Sequence, residues 1–107
     1  MATRYKFVRN DTSPQLKVTL AREDGSAVDI TGAQVFLYIR QIGETTITLS
    51  KAMTVTDGAN GVAIAAWSST DLTMDAGLYE GEIEVITSTY RETVYDLIRI
   101  DIRDDIA

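Results

Sequence analysis

Three glutamates alternate along one segment of the chain and form its clearest chemical pattern. Glu80, Glu82 and Glu84 occupy every second position, so on a β-strand they would project from one face about 6–7 Å apart. Carboxylates at this spacing are what glycoside hydrolysis or a cation site would use. A flat strand face offers no cleft, however, and we expect them to pair with Arg99 or Arg103 on an adjacent strand or to be solvated.

The residue types that are missing narrow the possible chemistry further. The 107-residue chain contains no cysteine and no histidine. Disulfides, thiolate nucleophiles and thiolate zinc sites are therefore excluded, as are catalytic triads built on an imidazole base. Enzymes that use only carboxylates or lysine remain possible, but we expect a protein that is not an enzyme and that carries no cofactor and no metal.

Two Asp-Gly pairs, at positions 24–25 and 57–58, lie between apolar segments. Such pairs tolerate the positive φ of a tight turn, and neither has the D-x-D-x-D-G spacing of a calcium loop. The sequence Asp29-Ile30-Thr31-Gly32 similarly predicts a turn capped by a side chain, with Ile30 closing one end of the fold.

The net charge of −6 is unevenly distributed along the chain. Residues 1–53 carry seven basic and five acidic side chains, for +2, whereas residues 54–107 carry three and eleven, for −8. Duplex nucleic acid is disfavoured as a partner, because its binding proteins show a basic surface. The asymmetry either guides docking to another protein or marks a solvated acidic half.

No segment approaches the roughly 20 apolar residues needed to cross a bilayer, and the first residues show no signal-peptide pattern. We therefore expect no membrane partner, and a chain that is made and kept in the cytosol unless it leaves by lysis or inside an assembly.

Residues 35–39 are apolar on both faces of their predicted strand. If Val35, Leu37 and Ile39 point into the core, Phe36 and Tyr38 point outward, where aromatic side chains favour contact with a partner. The alternative is that register or loop cover buries them.

Trp67 raises the same question at the end of another apolar segment. If Val62, Ile64 and Ala66 point inward, Trp67 points outward near the rim, as a contact for a protein or a sugar. Burial by a different register is again the alternative.

The elements that position these side chains are predicted to be β-strands, in which successive side chains point to opposite faces. Of the 107 residues, 33 are Val, Ile or Thr, an enrichment typical of strands. Alternating apolar residues and the turns between them predict about seven antiparallel strands. One helical turn is predicted at 68–72, and the predicted strands are 4–9, 15–22, 34–41, 46–56, 62–67, 78–87 and 93–103.

Seven short strands in a single domain of this length favour an immunoglobulin-like sandwich of two sheets. Asp75, Gly77 and Tyr79 form a D-x-G-x-Y motif just before the sixth predicted strand, the position of a tyrosine corner. Two residues later antibody domains have a cysteine, and this chain has Gly81. The expected fold is an all-β immunoglobulin-like sandwich without a disulfide.

Three segments resemble the immunoglobulin-like domain at the N-terminus of phage baseplate upper proteins and of related virion proteins. They are DGSAVDITGAQV at 24–35, DGANGV at 57–62 and AGLYEGEI at 76–83, and the resemblance covers about residues 8–104.

The resemblance implies a non-enzymatic structural protein of a tailed-phage or prophage virion, in the tail, baseplate, neck or head decoration. Its partners would be other virion proteins or copies of itself. Family members often continue into longer segments, so a chain ending at residue 107 favours a small stand-alone protein or an excised domain. The alternative function is a carbohydrate-binding module that attaches virions to cell-surface glycans through Tyr38 or Trp67.

Overall fold

The computed structural model describes residues 4–94 and 97–106. The chain is all-β, as the sequence predicts, and the described residues form eight strands and one 3-10 turn at Gly58–Asn60. The strands are β1 (Arg4–Val8), β2 (Leu16–Thr19), β3 (Gln34–Gln41), β4 (Leu49–Asp57), β5 (Val62–Ala65), β6 (Gly77–Ile86), β7 (Arg91–Thr93) and β8 (Ile98–Arg103).

The last predicted strand is in fact two strands. Its stretch 93–103 is divided between β7 and β8, and its positions 95 and 96 lie outside the described residues. Both strands pair with β6, β8 along Gly77–Gly81 and β7 along Glu84–Ile86. The division coincides with a register shift, because β6 advances three residues from Gly81 to Glu84 while the chain beside it spans five from Thr93 to Ile98.

The single helical turn predicted at 68–72 is a hydrogen-bonded turn in the structure and does not extend into a helix. The amide of Asp71 donates to the carbonyl oxygen of Ser68 at 3.2 Å, while the Asp71 carboxylate accepts from the Ser68 amide at 2.8 Å. The carboxylate thus caps the amide that begins the turn, as in a helix capping box, and the turn is not continued into a helix.

The strands follow the order β1-β8-β6-β3-β4-β5-β2, with β7 beside β6. β4 connects two regions of the sheet, because it pairs with β3 along Leu49–Met53 and with β5 from Thr54 to Asp57. The sheet curls until it is nearly barrel-shaped.

One pair departs from the expected antiparallel arrangement, since β1 runs parallel to β8. A short hairpin imposes antiparallel pairing only on strands it joins directly. β1 and β8 are the first and last strands of the chain, so no turn fixes their relative direction.

The core lies inside the curl, and alternation on β3 points into it as predicted. Val35, Leu37 and Ile39 are at most 1% exposed, while Phe36 and Tyr38 on the other face are only half-buried. Helices with the length and apolarity to cross a membrane do not occur among the described residues.

The outward orientation expected for Trp67 is wrong. Ala63 and Ala65 are fully buried and Trp67 is only 5% exposed, so β5 presents the opposite set of residues to the core. The Trp67 ring packs edge-on against Phe7, with centroids 5.3 Å apart. It is a core residue and not a surface contact.

Candidate interaction surface

A groove of about 440 Å³ lies on the outer face of the sheet, and we call it the β3–β6 groove. Residues that alternate with the core residues of β3 and β6 line it, together with residues of β7 and neighbouring loops. Its polar and aromatic lining is Tyr38, Arg40, Thr45, Glu80, Glu82, Glu84 and Arg91, and its larger apolar residues are Ile39, Ile47 and Leu97.

Strand register decides which of these side chains meet. On β3, Phe36 lies opposite Glu84 of β6, Tyr38 lies opposite Glu82, and Arg40 lies opposite Glu80. Side chains opposite each other on antiparallel strands are close enough to interact. Glu84 and Glu82 therefore each face an aromatic residue, and Glu80 faces a cationic one.

Glu84 is the deepest carboxylate of the groove, with only 4% of its surface exposed. Its Oε1 accepts a 3.2 Å hydrogen bond from the Tyr38 hydroxyl, and its Oε2 accepts from Nε of Arg91 at 2.9 Å. Nη2 of Arg91 lies 2.7 Å from the same Oε2. A buried charge needs such partners, because burying it unpaired costs several kcal/mol.

The same contacts displace two pKa values. The hydrogen bond to Glu84 and the attraction of its charge raise the pKa of Arg91, which stays charged. Burial, followed by the charge of Glu84, raises the pKa of the Tyr38 hydroxyl, and the charge of Glu82 adds to the rise. Tyr38 therefore remains a neutral donor at ordinary pH.

The partner of Glu80 differs from the one expected. Its Oε1 lies 2.7 Å from Nε of Arg40 on β3, whereas Arg99 lies opposite Glu80 in the register of β8. Arg103, the other expected partner, donates from Nη1 to the backbone oxygen of Asp104 at 3.0 Å. β6 is central and has neighbours on both sides, and Arg40 pairs with Glu80 from the β3 side.

Glu82 lies between these two ion pairs. Among the residues that the structure describes, no ion pair or hydrogen bond engages its carboxylate, which is partly exposed. The groove thus holds, opposite the Tyr38 ring, a carboxylate that is unpaired among the described residues.

The aromatic part of this surface is a stack on β3. The rings of Phe36 and Tyr38 have centroids 6.3 Å apart and planes inclined by 23°. Across β4, these residues lie opposite Ala52 and Ser50, which are small. The stack therefore lies beside small side chains on the outer face, in the orientation predicted from the sequence.

The D-x-G-x-Y motif lies apart from the groove. The hydroxyl of Tyr79 donates to the carbonyl oxygen of Asp75 at 2.6 Å, as the motif predicts, and Gly77 begins β6 between them. Burial raises the pKa of Tyr79. This bond anchors the entry into β6, the strand that carries the three glutamates.

The Asp-Gly and Asp29 turns have local hydrogen bonds. Asp24 accepts from the amide and hydroxyl of Ser26, and Asp29 accepts from those of Thr31. These bonds lower the pKa of both carboxyls. Ile30 is fully buried, as expected.

Within residues 4–94 and 97–106, no group of three or more acidic side chains is placed to hold a metal ion. Searches with the sequence find no matching protein-family model and no matching characterised protein. The groove is therefore interpreted from its own residues, which offer hydrogen bonding, charge and an aromatic surface.

Proposed function

We propose that this chain is a non-enzymatic structural module of a tailed-phage or prophage virion, which attaches to neighbouring virion proteins through the β3–β6 groove and the Phe36–Tyr38 stack that adjoins it. The resemblance of segments 24–35, 57–62 and 76–83 to virion immunoglobulin-like domains supports the viral setting. The groove supports the attachment role.

The observation that carries the proposal is the outward Phe36–Tyr38 stack on a central strand. Aromatic side chains are enriched at protein interfaces, where they contribute a large contact area at low entropic cost. The bond from Tyr38 to Glu84, itself held by Arg91, fixes the ring before a partner arrives. Such pre-organisation strengthens binding because less freedom is lost on association.

The proposal includes an immunoglobulin-like sandwich as the scaffold. β1, β8, β6, β3 and the first half of β4 would form one sheet, and the second half of β4 with β5 and β2 the other. The change of partner within β4 and the Tyr79 bond to Asp75 support this arrangement.

Incorporation into virus particles tests the proposal. In a phage deleted for the gene and complemented with variants, the double variant Phe36→Ser, Tyr38→Ser should be reduced in purified particles by about tenfold or more, which is the loss expected for an interface hot spot. Mass spectrometry of the particles measures the amount. Tyr90→Ser, which removes an exposed aromatic outside both the groove lining and the Phe36–Tyr38 stack, is the control.

Loss of the Tyr38 hydroxyl leaves buried Glu84 with one partner fewer, so folding is measured alongside by circular dichroism. Phe36→Ser alone leaves that bond in place and should also reduce incorporation. Normal incorporation of both folded variants would contradict the proposal.

A carbohydrate-binding module is the second candidate, favoured by the Tyr38 ring beside hydrogen-bonding carboxylates in one groove. The burial of Trp67 removes the other residue suggested for sugar contact. Binding of a neutral oligosaccharide to the groove, measured by NMR titration, distinguishes this candidate.

A further inference from the structure

Glu82 is the carboxylate of the β3–β6 groove whose charge is not balanced by a described partner. Its neighbours on the same face of β6, Glu80 and Glu84, are paired with Arg40 and Arg91 at 2.7 Å in each case. Counted over residues 4–94 and 97–106, the lining thus contains three carboxylates and two guanidinium groups, a local charge of −1. Arg99 lies on β8, outside this lining.

An aromatic ring lies directly across from this charge. Tyr38 is opposite Glu82 in the register of β3 and β6, and the charge of Glu82 contributes to the raised pKa of the Tyr38 hydroxyl. A carboxylate next to an aromatic ring offers a cation two interactions, an ion pair with the carboxylate and a cation–π contact with the face of the ring.

The rest of the groove suits a cation on a long side chain. Ile47 and Leu97 line it beside the charged groups, and Ile47 is more than half exposed. An arginine can pack its aliphatic stem on such residues while its planar guanidinium bonds a carboxylate and stacks on a ring. Arg40 and Arg91 already neutralise the flanking carboxylates, so a free anion would meet a net negative surface.

We propose that the β3–β6 groove receives an arginine side chain of the protein to which this module attaches, with its guanidinium bound by Glu82 and lying against Tyr38. The inference rests on the proposed function and specifies the chemistry of the partner. It commits to a protein segment with an exposed arginine.

The probe is the capped peptide acetyl-Gly-Arg-Gly-amide, titrated into the ¹⁵N-labelled chain. The amides of Tyr38 and Glu82 should shift saturably. Glu82→Gln should weaken the binding about fivefold, the effect of losing one partly exposed charge pair. The matched control is Glu23→Gln, the same change at an exposed glutamate outside the groove lining, and it should leave the affinity unchanged.

A second peptide, in which citrulline replaces arginine, keeps the shape and removes the charge. It should bind at least about fivefold more weakly than the arginine peptide to the unmodified chain. Equal binding of the two peptides, equal binding by Glu82→Gln, or no saturable shift would overturn the proposal. Binding of a neutral chitin trisaccharide at these amides, without binding of the arginine peptide, would overturn it in favour of a sugar site.

Failure of this inference can be told apart from failure of the proposed function. If Phe36→Ser reduces incorporation into particles but the arginine peptide does not bind, the attachment role stands and the arginine proposal is wrong. If the peptide binds but the folded double variant, which lacks Tyr38 of the groove lining, is incorporated normally, the groove binds a guanidinium and the proposed attachment role is wrong.

Discussion

The Tyr5 hydroxyl donates a 2.6 Å hydrogen bond to the carbonyl oxygen of Lys17 and so joins β1 to β2, the strands at opposite ends of the strand order. Strands at the edge of a sheet expose unpaired backbone groups that can recruit other chains. The side-chain bond occupies one of these groups and holds the curled sheet closed where no strand ladder is formed between its ends.

Tyr5→Phe should therefore loosen the closure. We expect a loss of about 0.5–1.5 kcal/mol of unfolding free energy, the usual net value of one hydrogen bond. Urea denaturation measures this loss, and Tyr90→Phe at an exposed turn is the control. Amide exchange in β1 and β2 should quicken more than in β3. Unchanged exchange in both end strands would show that the bond does not close the sheet.

Tyr79→Phe should lower the unfolding free energy more than Tyr5→Phe does, by about 1–3 kcal/mol. The reason is that it leaves the Asp75 carbonyl oxygen without its partner near a buried ring. The measurement is the denaturant midpoint at constant m-value. If Tyr79→Phe and the unmodified chain unfold at the same midpoint, the bond does not stabilise the entry into β6.

Trp67→Ala should be among the most damaging single substitutions. Removing a large buried aromatic costs about 3–5 kcal/mol, through lost transfer free energy and the cavity left behind. Phe36→Ala, on the half-buried outer face, should cost clearly less. Circular dichroism during denaturation compares the two variants. A smaller loss for Trp67→Ala than for Phe36→Ala would contradict the assignment of Trp67 to the core.

Alternation predicts orientation only where the two faces of a strand differ. On β3 the larger aliphatic residues, Val35, Leu37 and Ile39, mark the inner face, and that orientation is correct. Residues 62–67, VAIAAW, are apolar on both faces, so the alternation does not indicate which face points into the core. Packing decides there, because fully buried Ala63 and Ala65 occupy the inner positions next to Trp67.

In the β3–β6 groove, too, the sequence predicts one part of the arrangement and leaves another part open. The sequence places three glutamates on one face of a strand, but a central strand has two neighbours, and spacing alone does not say which supplies the cations. Arg40 becomes the partner of Glu80 through the β3 register. Arg91 reaches Glu84 because the β6–β7 hairpin returns it to the same face.

Asp71 should make stability depend on acid pH. Burial alone would raise its pKa, but hydrogen bonds from Lys51 and Ser68 outweigh burial and lower the pKa. Because the folded pKa lies below the unfolded value of about 3.9, the stabilisation is complete above that value. It is lost as the pH falls through the folded pKa.

Asp71→Asn should thus cost about 1–2 kcal/mol at pH 7, since the 2.7 Å ion pair with Lys51 is partly buried. The difference from the unmodified chain should shrink as the pH is lowered from 5 to about 2. Urea denaturation across this range measures it. A difference that stays constant with pH would mean that the carboxylate charge contributes nothing.

Gly61 follows the 3-10 turn and has a φ of 72°. A Cβ there would lie 2.5 Å from the carbonyl oxygen of Leu20 and 2.8 Å from that of Val28. The Leu20 amide also donates to the Gly61 carbonyl at 2.8 Å, so the backbones cannot separate without losing this bond. Gly61→Ala therefore combines a disfavoured φ with a clash against backbone, and we expect a loss of about 2–4 kcal/mol.

Gly43 is the matched control for this last substitution. Its φ is 91°, and a Cβ there would meet no atom within 4 Å. Gly43→Ala therefore adds only the conformational penalty, about 1 kcal/mol. Thermal and urea denaturation of the two variants separate the conformational penalty from the steric clash. The difference between their losses of unfolding free energy is the contribution of the close backbone contact at Gly61. Equal losses would mean that the chain around Gly61 moves aside at no cost, and that φ alone makes glycine necessary there.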